Sequence, residues 1–207
     1  ETNHQQKDYR VKHYHQQADN EYSLSSNQIF DICEDNRGRI WIATFGGGVN
    51  LYANDLFFHM GNRMAADAQY APRNVRYIKE IGKDTLLACA KEGLFTWSGN
   101  FSRVEQVSFY VSSKQGEMND LSDTDVMQYF SDSRSESYVV THSGGLCKLL
   151  SNNLLQDRLP FQRIDSEHGL ASDVTLSMIE DAQGRLWVTS YNALSCIDKE
   201  EMYVFSG

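Results

Sequence analysis

The chain repeats itself, and the repeat limits what it can fold into. Asn27–Ile42 and Asp173–Val188 align without a gap, and both carry Glu-Asp-x-x-Gly-Arg-(Ile/Leu)-Trp-(Ile/Val). The first copy reads Glu34-Asp35 and Gly38-Arg39-Ile40-Trp41-Ile42; the second reads Glu180-Asp181 and Gly184-Arg185-Leu186-Trp187-Val188. A more worn copy runs from Val126 through Asp132 to Tyr138–Thr141. It continues as His142-Ser143-Gly144-Gly145-Leu146, beside Phe45-Gly46-Gly47-Gly48-Val49 of the first. The remaining copy is Val75–Ile78, Thr85–Ala88 and Glu92–Phe95. Taking Trp41, Leu86, Tyr138 and Trp187 as equivalent gives steps of 45, 52 and 49 residues. That period matches repeats of roughly 40–50 residues that each form one four-stranded unit.

Each copy reads as the same four strands. In the first, strand a is Ile29–Cys33, strand b Arg39–Thr44, strand c Val49–Tyr52 and strand d Leu56–His59. Gly38 and Gly184 close the a–b turns after Asp35 and Asp181, where a tight hairpin needs positive φ. The fold class expected is therefore all-β: four four-stranded antiparallel meanders, the blades of a β-propeller. The blades span 27–60, 74–110, 124–164 and 173–205, and residues 9–15 read as strand d of a blade ahead of them, so the propeller is partial. Gly46-Gly47-Gly48 is followed by a strand rather than a helix and reads as the b–c turn, not a phosphate cradle. Asp35-Asn36-Arg37-Gly38 lacks the alternating oxygen ligands of a calcium loop. Neither a metal nor a cofactor is expected.

A net charge of −9 without a basic run argues against nucleic acid as a partner. No stretch approaches the ~18 apolar residues of a membrane span, so no membrane contact is expected in this segment. Glu1–Arg10 lacks the apolar core of a signal peptide. Cys33, Cys89, Cys147 and Cys196 stand singly inside apolar runs and read as free thiols on different blades, too far apart to bridge.

Leu24-Ser25-Ser26-Asn27-Gln28-Ile29, followed by Glu34-Asp35 and Gly38-Arg39-Ile40-Trp41-Ile42-Ala43-Thr44-Phe45-Gly46-Gly47-Gly48-Val49-Asn50-Leu51-Tyr52, resembles the two-component regulator propeller repeat. Glu167-His168-Gly169-Leu170 to Cys196 resembles another copy. The match weakens in the two middle repeats, where Leu86 replaces the Trp and Ser135 the turn glycine. The resemblance implies the periplasmic part of a Bacteroides-like hybrid two-component sensor, whose histidine kinase and output domains lie outside this segment. In that family the inputs are largely breakdown products of complex glycans, which implies sensing or scaffolding without catalysis here.

Because strands alternate in direction, the d–a and b–c connections share one face. The long segments Gln16–Asn27, Gly61–Asn74, Tyr110–Thr124 and Asp165–Asp173 are all of the d–a kind. On this face Phe45, His142 and Tyr191 hold matching b–c positions, with Lys91 near the fourth. Aromatic faces suit sugar C–H groups, and Arg73 or Arg76 could take a carboxylate or sulfate. These six are the candidate ligand residues for an oligosaccharide. Turn-covering aromatics are the simpler account of any one of them. His142 beside Ser143, and His168 near Asp165 and Glu167, come closest to a catalytic group, but neither recurs with a spaced partner. A propeller lyase or hydrolase and a pure protein-interaction module are the alternatives.

Two further expectations concern packing. Trp41 and Trp187 should both be buried between adjacent sheets. The first and last blades should leave apolar faces open, with two d-type strands competing for the strand c edge at Leu194–Ile197. Those faces would be covered by the remaining blades of the parent chain or by a second copy in a homodimer.

Overall fold

The computed structural model describes residues 10–60, 71–100, 103–110, 121–155, 159–199 and 201–206. Sixteen strands form four sheets. The first holds β1 (Ile29–Glu34), β2 (Ile40–Thr44), β3 (Gly48–Ala53) and β4 (Leu56–His59); the second holds β5 (Val75–Gly82), β6 (Thr85–Ala90), β7 (Gly93–Asn100) and β8 (Arg103–Tyr110). The third holds β9 (Val126–Ser131), β10 (Ser137–Thr141), β11 (Leu146–Leu149) and β12 (Phe161–Ile164); the fourth holds β13 (Thr175–Glu180), β14 (Leu186–Ser190), β15 (Ala193–Asp198) and β16 (Glu201–Ser206). Within each sheet the strands pair antiparallel in chain order. A single 3-10 turn, Ser166–His168, is the sole helical element among the described residues.

One aspartate organises each a–b hairpin in three of the blades. Asp35 Oδ1 accepts the Arg37 and Arg39 amides at 2.9 and 3.0 Å, and its Oδ2 accepts Arg39 Nε and, at 2.7 Å, the Trp41 indole N–H. Asp181 does the same with the amides of Gln183 and Arg185, Arg185 Nε and the Trp187 indole. Asp132 repeats the pattern with Arg134 and Glu136, without the Trp. Gly38 and Gly184 hold φ of 72° and 77°; Ser135 takes the same left-handed conformation at 64° without glycine's freedom. Burial alone would raise the Asp35 carboxyl, but the donors from Trp41, Arg39 and Arg37 outweigh it and hold it below its ordinary value.

Packing between sheets sets the phase of the repeat. Ile32 pairs with Ile42, Ile78 with Ala88, Tyr129 with Val139 and Met178 with Val188. One residue earlier on strand b stand Trp41, Leu87, Tyr138 and Trp187. Trp41 enters the cluster shared with the second blade, Leu87 that shared with the third, and Tyr138 that shared with the fourth. Leu86 instead points back into the cluster shared with the first blade. The equivalent of Trp41 is therefore Leu87, not Leu86. A shift of one residue reverses the face a strand side chain occupies, and the irregular register between Glu80 and Gly82 hides that shift in the spacing.

Polar links recur across the same junctions. Glu80 Oε2 accepts the Asn36 amide of the preceding blade at 2.8 Å, and Glu180 Oε2 accepts the Ser133 amide at 2.8 Å. Asp31 Oδ2 accepts the Ile78 amide at 2.9 Å; in the equivalent place Gln128 Oε1 accepts the Met178 amide at 2.8 Å. A leucine five residues ahead of strand a plugs two of the seams: Leu121 between the second and third blades, Leu170 between the third and fourth. Leu24 holds that position ahead of the first blade, against Ile42 and Phe57.

The two end blades depart from the expected burial. Trp41 is 2% exposed, whereas Trp187 is only partly buried and stacks on Phe205 at 5.8 Å, because no sheet of the described chain follows it. The two tryptophans are equivalent in register and in their bond to aspartate, but not in cover. Tyr9 lies outside the described residues, and residues 10–16 form no strand. Tyr14 instead packs edge-on against Tyr52 and Phe57, with its hydroxyl on Asp55. The segment lies on the first sheet through these side chains rather than adding a strand to it. The expected competition for strand c does not arise, since β16 pairs with β15 along its whole length. The four cysteines, on β1, β6, β11 and β15, are unbridged.

Candidate functional site

The d–a and b–c connections are locked together by main-chain bonds. The Phe45, Lys91 and His142 amides donate to the carbonyls of Gln28, Asn74 and Asp125, at 2.9, 3.0 and 2.8 Å, so three b–c turns sit against the start of their own strand a. The Gly48 and Gly145 amides reach the next blade, at Arg73 and Asp173. Glycine is required here: a Cβ on Gly145 would stand 2.4 Å from the Ile164 carbonyl oxygen, and one on Gly144 2.5 Å from Ser122 Oγ.

Some of the six candidate residues converge. Phe45 lies 5.6 Å from Phe30, and the Arg76 guanidinium sits 5.6 Å over the Phe45 ring. Arg76 is also paired through both terminal nitrogens with Asp125, whose carbonyl holds the His142 amide. The line Phe30–Phe45–Arg76–Asp125–His142 thus crosses three blades. Arg76 is thus already engaged by Asp125. No described side-chain contact ties Arg73, Lys91 or Tyr191 to this line, and Tyr191 is 70% exposed. Most of the d–a segments Gly61–Asn74 and Tyr110–Thr124 lies outside the described residues, at 61–70 and 111–120.

Phe30 and Asp125 went unnoticed in the sequence. Phe30 lies inside strand a, where an aromatic reads as core, yet it is exposed. Asp125 directly precedes a strand, the one signal that could have placed it beside a b–c turn.

The partners of the two histidines are local. His142 Nδ1 meets the hydroxyl of its neighbour Ser143 at 3.0 Å. His168 Nδ1 lies 2.7 Å from Asp165 Oδ1, and the same oxygen caps the 3-10 turn by accepting the Glu167 and His168 amides. No cluster of three or more His, Cys, Asp or Glu able to hold a metal occurs among the described residues.

The opposite face carries a cavity of about 390 Å3 between the second and third blades. Its lining is uncharged, with hydroxyls of Thr85, Tyr129 and Ser135, the amide of Asn152, and apolar walls from Ile81 and Leu149.

Four antiparallel meanders packed side by side make this chain a run of β-propeller blades. Residues 23–46 and 169–192 match the two component regulator propeller family, so the first and last blades carry that repeat. Among solved structures, the chain is similar to the extracellular domain of the hybrid two component system BT3049 of B. thetaiotaomicron, with 20% identity and a TM-score of 0.67 over 89% of this chain and 24% of that one. It is similar to that of BT4673 from the same organism, with 21% identity and a TM-score of 0.69 over 93% and 26%. Virginiamycin B lyase from Staphylococcus aureus, in a catalytically inactive form, shares the fold at 10% identity and a TM-score of 0.55, over 87% and 56%. The chain spans about a quarter of the length of the two sensor domains. No curated protein matches the chain. No described helix is long and apolar enough to cross a membrane.

Proposed function

We propose that this chain is a segment of the extracytoplasmic sensor propeller of a hybrid two-component system, that it binds or presents an oligosaccharide and that it performs no catalysis. The observation carrying this reading is the regulator-propeller repeat in the first and last blades, on a scaffold shared with extracellular domains of such systems. A periplasmic location is part of this reading, and the same likeness supports it. The end faces are covered by further blades, whether of a longer parent chain or of a second copy.

For the ligand, Phe45 and Phe30 supply aromatic surface, held in place by Arg76, while Arg73, Lys91, His142 and Tyr191 border the same face. With Arg76 paired to Asp125, Arg73 and Lys91 are the cations left to meet an acidic sugar. Calorimetry against neutral and sulfated oligosaccharides tests this: binding without turnover, weakened about tenfold or more by Phe45→Ala, is expected. Absence of heat and of thermal shift with every sugar would refute ligand sensing, and product formation would replace it with the lyase or hydrolase reading.

A further inference from the structure

Three departures from the repeat fall on one place. The third blade separates strands c and d by residues 150–160, whereas the other three sheets leave two residues between theirs. Within that insertion Leu154 and Leu159 are buried in the core shared with the second blade, and Thr96 of β7 donates its hydroxyl to the Leu154 carbonyl at 2.7 Å. The a–b turn of the third blade holds Ser135 in the left-handed conformation that its counterparts Gly38 and Gly184 adopt without strain. In the second blade, the register of β5 shifts between Glu80 and Gly82. Ser135, the shifted Ile81 and Gly82, and Asn152 and Leu155 of the insertion all line the cavity of about 390 Å3 between the two blades. Bulges, strained turn residues and long loops are the usual means by which a regular scaffold makes room for a ligand. The cavity's buried wall is Tyr129 with Leu149 and Leu154. The Tyr129 hydroxyl meets Ser137 Oγ at 2.8 Å, and Ser137 donates on to Ser131 Oγ at 3.5 Å, so the Ser131 proton at the end of this string has no acceptor among the described residues. No charged side chain among the described residues lines the space.

We propose that this cavity is a second binding site, on the face opposite Phe45, for a small uncharged polyol of mono- or disaccharide size. Its volume lies at the low end of the roughly 300–1,000 Å3 of small-molecule pockets, which sets the size of the ligand. Hydroxyls and amides that both give and accept hydrogen bonds, set around an apolar wall, match a compact molecule with hydroxyls on its rim and C–H groups on its faces. A purely apolar ligand would strand those polar groups. A carboxylate or sulfate would lose its water with no counter-charge in the wall. The site lies within the seam of the second and third blades, so it does not depend on what adjoins the first and the last. It also stands apart from the surface at Phe45.

The test is titration of the isotope-labelled full chain with glucose, galactose, xylose, cellobiose, maltose and glucuronate, followed by nuclear magnetic resonance. Saturable shifts at Ser131, Ser135 and Asn152 are expected with at least one neutral sugar, and binding about tenfold or more weaker with glucuronate. Ser135→Gly installs the residue that the sibling turns use. Thermal melts should show it as stable as the parent or more so, while its affinity falls about three- to tenfold. Asn152→Trp, at an exposed position, fills the cavity and should abolish binding; Phe45→Ala should leave it unchanged. Absence of saturable binding with every one of these sugars would overturn the proposal, as would glucuronate binding as tightly as glucose or affinity untouched by both Ser135→Gly and Asn152→Trp. Binding lost only in Phe45→Ala would put the sugar on the opposite face, overturning this site while supporting the one at Phe45.

Discussion

Replacing Asp35 by alanine should be far more damaging than the same change at Asp181, although the two make the same bonds. Asp35 anchors two turn amides, Arg39 Nε and the Trp41 indole, and its side chain is 1% exposed. Its loss strands the indole N–H of a residue buried between two sheets and removes the partner of a largely buried guanidinium. An unsatisfied buried donor costs about 1–3 kcal/mol, and a broken buried charge pair about 3–5 kcal/mol. Arg39 keeps a second contact with Asp84, and the turn amides can recover water, which trims the sum. The net expectation is about 3–5 kcal/mol for Asp35→Ala. The Asp181 side chain is 19% exposed and Trp187 is only partly buried, so water replaces more of what is lost there. The Asp181 effect should be less than half as large. Urea unfolding followed by tryptophan fluorescence and circular dichroism measures both, with the variants compared at the same protein concentration. Equal losses, or an Asp35→Ala loss under about 1 kcal/mol, would show that the hairpin aspartate does not act through the buried tryptophan.

Gly145→Ala should cost about 2 kcal/mol or more, because φ is 70° and the added carbon meets the Ile164 carbonyl, whereas Gly46→Ala, with open space around it, should cost about 1 kcal/mol from backbone strain alone; thermal melts of the two separate these effects. Alkylation of the denatured chain should label four thiols with or without prior reduction, and mass spectrometry showing labels gained only after reduction would contradict unbridged cysteines. Burial pushes all four thiols upward, so labelling of the native chain should be slow at neutral pH. Asp35 and Asp165 both sit below the ordinary carboxylate value in the fold. The stability they contribute is full above about pH 4 and is lost as pH falls through their lowered values. Urea midpoints from pH 7 to 3 should therefore drop steeply at the acid end, and less so in Asp35→Asn.

Much of this architecture is written in single-strand features. The Glu-Asp-x-x-Gly-Arg-x-Trp string encodes a hairpin locally, since the aspartate, the turn glycine and the tryptophan all act within seven residues. Period-two alternation and turn residues then define four meanders without reference to anything distant. What depends on neighbouring sheets was not legible. Leu86 and Leu87 are both apolar and adjacent, and only packing against the first and third blades distinguishes them. Trp41 and Trp187 are identical in local sequence, yet one is covered by a following blade and the other is not. The stretch at Tyr14 has the composition of a strand, but its side chain packs on the first sheet instead. Arg76 looks like a free cation until the fold brings Asp125 of another blade onto it. Local hydrogen bonding and alternation are properties of consecutive residues, so sequence alone determined the blades; burial, pairing and charge neutralisation are set by residues some fifty positions away, and only the tertiary structure decided them.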